Sequence, residues 1–213
     1  MHTDDLIAAL ARGVEPVAPY AARRYLGAAL LVGSSLALLG MLVVLGLNPE
    51  LTAYSGRAMF WVKFGMPLLV LLAGVVALER LSRPGKALGA SGFALLAPVA
   101  LVWGLGALEL SRADAGSRGE LMLGVTWLVC PFYVAMLATP AFVSALWALR
   151  SLAPTRLRLT GAVAGLFAGA VGAWAYALHC PELAAPFIAI WYVLGMLLPV
   201  VPGVILGPRL LRW

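Results

Sequence analysis

The chain has 213 residues, of which 63% are hydrophobic and 11% charged, and its formal net charge is +6 at pH 7. A water-facing surface calls for about 25% charged residues, so this composition excludes a soluble globular domain. The basic excess does not argue for nucleic acid, because the cations sit in short loops beside apolar runs, where topology and anionic headgroups account for them.

The chain opens with Thr3-Asp4-Asp5-Leu6-Ile7. Thr3 suits a helix N-cap, and Asp4 and Asp5 suit the positive end of a helix dipole. Leu6, Ile7 and Leu10 fall on one face, and Gly13 can end the helix. Pro16 and Pro19 then break the chain before Arg23-Arg24. Residues 1–24 therefore read as a cytoplasmic arm carrying a short amphipathic helix, too short to be stable alone. Helices that rest on anionic lipid carry Lys or Arg on the polar face. Asp4 and Asp5 would be repelled there, so the arm points to a groove on a partner protein. The opening also lacks the basic start of a cleaved signal, and the first apolar run is expected to stay as an anchor.

Residues 25–213 read as an all-α membrane domain, a bundle of six transmembrane helices. The predicted spans are 26–47, 59–78, 89–108, a fourth within 121–148, 159–178 and 185–206, each long enough to cross a core of about 30 Å. The arm and the loops after spans two, four and six carry Arg12, Arg23, Arg24, Arg80, Arg83, Lys86, Arg150, Arg156, Arg158, Arg209 and Arg212. The opposite loops carry only Arg57, Arg112 and Arg118. This asymmetry predicts that the N-terminus and C-terminus are both cytoplasmic.

Within the spans, Lys63 lies about one turn inside the outer end of span two. It is expected to snorkel, with its ammonium at the headgroups, ahead of serving as a buried functional charge. Span four is too long for one crossing and is interrupted by Pro131 and Pro140. Pro131 suits a helix start or a kink. Residues 121–129 are expected to form an outer interfacial segment that leads into the spanning helix, with Trp127 in the aromatic belt. In span five, Gly161, Gly165 and Gly169 recur at a spacing of four and make a flat groove. Packing within the bundle is the expected use of that groove, ahead of a dimer contact.

Cys130 and Cys180 are the only cysteines. Each lies 20 residues from a cytoplasmic helix end, Cys130 from Arg150 and Cys180 from Thr160, and 20 helical residues rise about 30 Å. Both thiols are therefore expected at the outer edge, on consecutive antiparallel helices. Each precedes a proline, Pro131 or Pro181, and so marks a helix end or kink. Three chemistries stay open. The pair can form a disulfide in an oxidising compartment, hold a soft heavy-metal ion with His179 or Glu182 completing the shell, or pack as two small apolar residues. The chain has no Gly-rich phosphate loop, no HExxH and no CxxC, so an enzyme is not expected. Lys63 is the one charge well inside a span, which counts against a small transporter. A membrane thiol–disulfide redox protein would need a second cysteine pair or a quinone.

The arm Thr3-Asp4-Asp5-Leu6-Ile7, the single cysteine before each of Pro131 and Pro181, the six-span layout and the terminal Leu211-Arg212-Trp213 together resemble the NrsF-type anti-sigma factors. The resemblance covers essentially the whole chain. It implies a multi-pass regulator in the bacterial inner membrane that sequesters an extracytoplasmic-function (ECF) sigma factor at its cytoplasmic face. It also implies that two periplasmic cysteines, here Cys130 and Cys180, take part in sensing a metal or redox signal. The sigma-binding arm maps onto Asp4, Asp5, Leu6, Ile7 and Leu10. Topology adds Arg80, Arg83, Arg150, Arg156 and Arg158 as cations able to meet an acidic sigma-factor surface, although lipid contact explains them equally well. The implied partners are that sigma factor and the bilayer, with no direct nucleic acid, and the only cofactor implied is a soft metal ion at the cysteines.

Overall fold

The computed structural model describes residues 3–11 and 20–212, Leu10 in its backbone only. These residues form helices and no strands. The first helix is α1, Thr3–Ala11. The chain continues with α2 (Ala21–Leu45), α3 (Leu51–Ser55), α4 (Ala58–Leu81) and α5 (Ala90–Arg112). It ends with α6 (Arg118–Leu123), α7 (Cys130–Arg150), α8 (Leu157–Tyr176) and α9 (Ala185–Leu210). Six of them, α2, α4, α5, α7, α8 and α9, are long and apolar enough to cross a membrane. Gly13, Pro16, Pro19, Arg12 and Trp213 lie outside the described residues, as does the side chain of Leu10.

The six helices match the six predicted spans, with shifts at polar ends that have a common cause. Hydropathy places the first span at 26, yet α2 begins at Ala21 and takes in Arg23 and Arg24. Hydropathy ends the third span before Glu109, yet α5 runs on to Arg112. A charged residue ends an apolar run without ending a helix, provided its side chain finds a partner. Arg23 pairs with Glu79 of α4 at 2.9 Å. Glu109 accepts a hydrogen bond from the Ala185 backbone N–H at 2.9 Å and so caps the start of α9.

The fourth span resolves into a short helix and a long one that is apolar enough to cross a membrane. α6 ends at Gly124, whose φ of +56° suits the glycine. α7 then starts at Cys130 with Pro131 in its first turn, where the missing N–H costs nothing. Trp127 packs against Trp191 of α9, ring centroids 5.4 Å apart.

α8 is the most enclosed helix, packed between α4, α7 and α9, whereas α2 and α5 lie at the outside of the bundle. Its glycines account for its central place. A Cβ on Gly161, Gly165 or Gly169 would collide with the backbone carbonyl of Gly203, Pro199 or Met196 of α9. A Cβ on Gly172, on another side of α8, would meet Val134 of α7. The four-residue glycine spacing is thus spent on contacts within the bundle. α9 is not uniform: it widens into a π turn over Ile188–Tyr192. There the Ala189 carbonyl accepts a hydrogen bond from Trp103 Nε1 at 2.8 Å.

Candidate thiol site and basic end

Cys130 is the first residue of α7, and Cys180 follows the turn that ends α8. Backbone N–H groups of both hydrogen-bond to preceding carbonyls, Cys130 to Thr126 at 2.9 Å and Cys180 to Tyr176 at 3.0 Å. Both thiols are free, both are buried, and both belong to the one hydrophobic core. Two packing features bring them together. Val134, one turn into α7, seats against Gly172 of α8 and Gly195 of α9, and Pro131 also lies against Gly195.

Tyrosines wall the pair. The Tyr176 ring packs at a tilt of 43° against Tyr133 and Tyr192, with centroids 6.0 and 5.9 Å away, and the hydroxyls of Tyr176 and Tyr192 neighbour the Cys180 side chain. Among the described residues the Tyr192 hydroxyl, which is buried, has no hydrogen-bond partner. Such an orphan costs about 1–3 kcal/mol.

His179 and Glu182 are engaged elsewhere. His179 Nδ1 contacts the Gly46 carbonyl at 3.0 Å. One Glu182 carboxylate oxygen accepts the N–H groups of Val125 and Thr126 at 2.7 and 3.2 Å. The carboxylate lies directly against Gly124, so a Cβ there would have to push the Glu182 side chain aside. Among the described residues, no three His, Cys, Asp or Glu side chains gather in a group that could hold a metal ion.

Lys63 overturns an expectation. Its side chain is 0% exposed and does not snorkel. It turns inward because better acceptors lie there: Nζ donates to the Cys180 carbonyl at 2.6 Å and to the Glu182 carbonyl at 3.0 Å.

The other end of the bundle carries the basic residues. Arg80 is half-buried and donates to the Ala87 carbonyl at 3.0 Å, which shapes the α4–α5 loop. Arg83 pairs with Glu79 at 3.1 Å. Arg150, Arg156 and Arg158 are exposed. So are Asp4, Asp5, Leu6 and Ile7 on α1, with Ile7 at 59%. Leaving two large aliphatic side chains in the open is a standing cost unless something covers them.

The sequence profile of a family described as a negative regulator of sigma F, NrsF, matches residues 10–213. The chain belongs to the NrsF family. Two NrsF relatives align along their whole length and the whole of this chain. One, from Azospira oryzae, is described as a probable anti-sigma-F factor NrsF and is 46% identical over 214 residues. The other, from Caulobacter vibrioides, is described as an anti-sigma-F factor NrsF and is 40% identical over 222 residues. No solved structure matches the chain. Membership of a family of regulators agrees with the missing catalytic motifs.

Sequence reasoning about this NrsF chain missed Lys63, Thr126, Tyr176 and Tyr192 as neighbours of the thiols. An ionisable residue inside a span was the available signal for Lys63. The tyrosines carry no such signal, since one residue type serves core, interface and site alike.

Proposed function

We propose that the chain is a membrane-embedded anti-sigma factor of the bacterial inner membrane. It holds an ECF sigma factor at its cytoplasmic face and releases it when Cys130 and Cys180 meet a soft metal ion or an oxidant. The observation that carries this reading is the match over residues 10–213 to a family described as a negative regulator of sigma F. The eleven-to-three loop asymmetry orients the proposed protein, with both termini inside and the thiols on the periplasmic side.

The chemistry of each end supports the division of labour. Two free thiols in one apolar chamber can ligate a soft cation or close to a disulfide, and a carboxylate or imidazole would have to leave its present partner to join them. α7 starts at one thiol and α8 ends just before the other, so a change in their separation moves helices that run the length of the bundle. At the far end, Leu6 and Ile7 of α1 offer an apolar face with Asp4 and Asp5 beside it, suited to a groove on the sigma factor. Arg150, Arg156 and Arg158 are the exposed cations placed to meet an acidic surface. Arg80 and Arg83 already serve the α4–α5 loop and Glu79.

The test is co-purification of the sigma factor with the full-length membrane protein. Removal of residues 1–11 is expected to abolish capture. Changing both cysteines to serine is expected to keep capture but prevent release by cadmium ion or diamide. A double-serine variant that still releases the sigma factor would sink the sensing assignment, and full capture without the arm would sink the docking one.

A further inference from the structure

The buried Lys63 is not explained by packing. Its ammonium lies at the thiol end of α4, 0% exposed, and donates to the carbonyls of Cys180 and Glu182. Those carbonyls belong to the extended segment after α8, which has no helical partners of its own. The Phe60 ring lies 5.9 Å from the same nitrogen. Among the described residues the ion pairs are Arg23–Glu79 and Arg83–Glu79, so no carboxylate lies within 4 Å of the Lys63 ammonium. A buried, unpaired ammonium is costly, and a methionine would fill the same volume without that cost. The helix is also weakened at this point. Pro67 stands four residues on, so the Lys63 carbonyl lacks its helical donor and α4 has a soft spot beside the clamp. At the other end of the same helix, sixteen residues or about 24 Å away, Glu79 ties α4 to Arg23 of α2.

We propose that Lys63 is a positioning residue for the thiol pair: it clamps the Cys180-Pro181-Glu182 segment to α4, and its release lets α4 bend at Pro67, which carries a change at Cys180 to the Arg23–Glu79 contact. The proposal rests on the thiol-sensing reading and adds a route to it. Modification or metallation of Cys180 displaces its backbone, Lys63 loses two acceptors, and α4 pivots at Pro67.

The chain has two lysines, Lys63 and the exposed Lys86, which makes a footprint with an internal reference. Full-length protein in nanodiscs is treated with acetic anhydride, and the Lys63-to-Lys86 acetylation ratio is read by mass spectrometry. The comparison is protein whose two thiols have each reacted with methyl methanethiosulfonate. That reagent places a methylthio group on each sulfur and releases methanesulfinate, and the thiol proton goes to buffer. The ratio is expected to rise at least tenfold on thiol modification. An unchanged ratio in protein carrying both groups overturns the clamp. In sigma-factor capture, Lys63→Met is expected to release the partner without any stimulus, while Lys63→Arg, which keeps charge and donors, retains it. Full capture by a monodisperse Lys63→Met protein also overturns the clamp. The two readings fail separately: release by cadmium from a double Cys→Ser variant removes the thiol reading, whereas normal thiol-dependent release with an unmoved Lys63 footprint removes only the clamp.

Discussion

A single methyl group at Gly161 tests how closely α8 and α9 approach. Gly161 faces the Gly203 carbonyl oxygen, and Gly203 faces the Gly161 carbonyl in return, so the contact is reciprocal. A Cβ at either position has backbone on the other side, which cannot rotate away as a side-chain tip would. The helices must separate, and a retreat of about 0.5–1 Å forfeits a quarter to a half of each dispersion contact along the seam. Overpacking of this kind costs about 1–3 kcal/mol. Against it stands a gain of up to about 1 kcal/mol from replacing glycine in a helix. Gly161→Ala should therefore destabilise by about 1–2 kcal/mol. Gly104→Ala on α5 is the control: nothing lies within 4 Å of its Cβ, so only the gain remains. Thermal unfolding in detergent, followed by circular dichroism, compares the two. Equal melting temperatures would refute the account of a glycine-backed seam and return Gly161 to the class of incidental glycines.

Other outcomes follow from the same contacts. Tyr192→Phe removes a buried hydroxyl without a partner and should raise stability by about 1 kcal/mol, read in the same melts. Glu182→Ala strips the acceptor from the N–H groups of Val125 and Thr126, which should cost about 1–3 kcal/mol and speed maleimide labelling of Cys180. Glu109→Ala uncaps α9 and should cost about 0.5–2 kcal/mol, with Glu109→Gln costing less; equal melting of the two would argue against the cap. Glu79→Gln breaks ion pairs with exposed arginines and should change thermal stability by less than about 1 kcal/mol.

The two ends of the protein differ in how legible they were. Cys130 and Cys180 could be matched in depth by counting residues, because a helix converts sequence distance into height at a fixed rise. The start of α7 at Cys130 was legible as one of two options, since proline tolerates only a helix start or a kink. His179 and Glu182 were nearest in sequence to a thiol and therefore looked like its ligands. Adjacency along a chain does not say where a side chain turns, and here each turns to a backbone group of another loop.

By itself the amino-acid sequence determined that the chain has six apolar helices, roughly where each lies, which loops carry the cations and which residues share a depth. These are properties of composition and of period along one element. The tertiary structure decided what each polar side chain inside the bundle faces. Lys63 has the same rise and the same residue type whether it snorkels or turns inward. Only the unpaired carbonyls of Cys180 and Glu182, delivered by a distant segment, make the inward rotamer the better one.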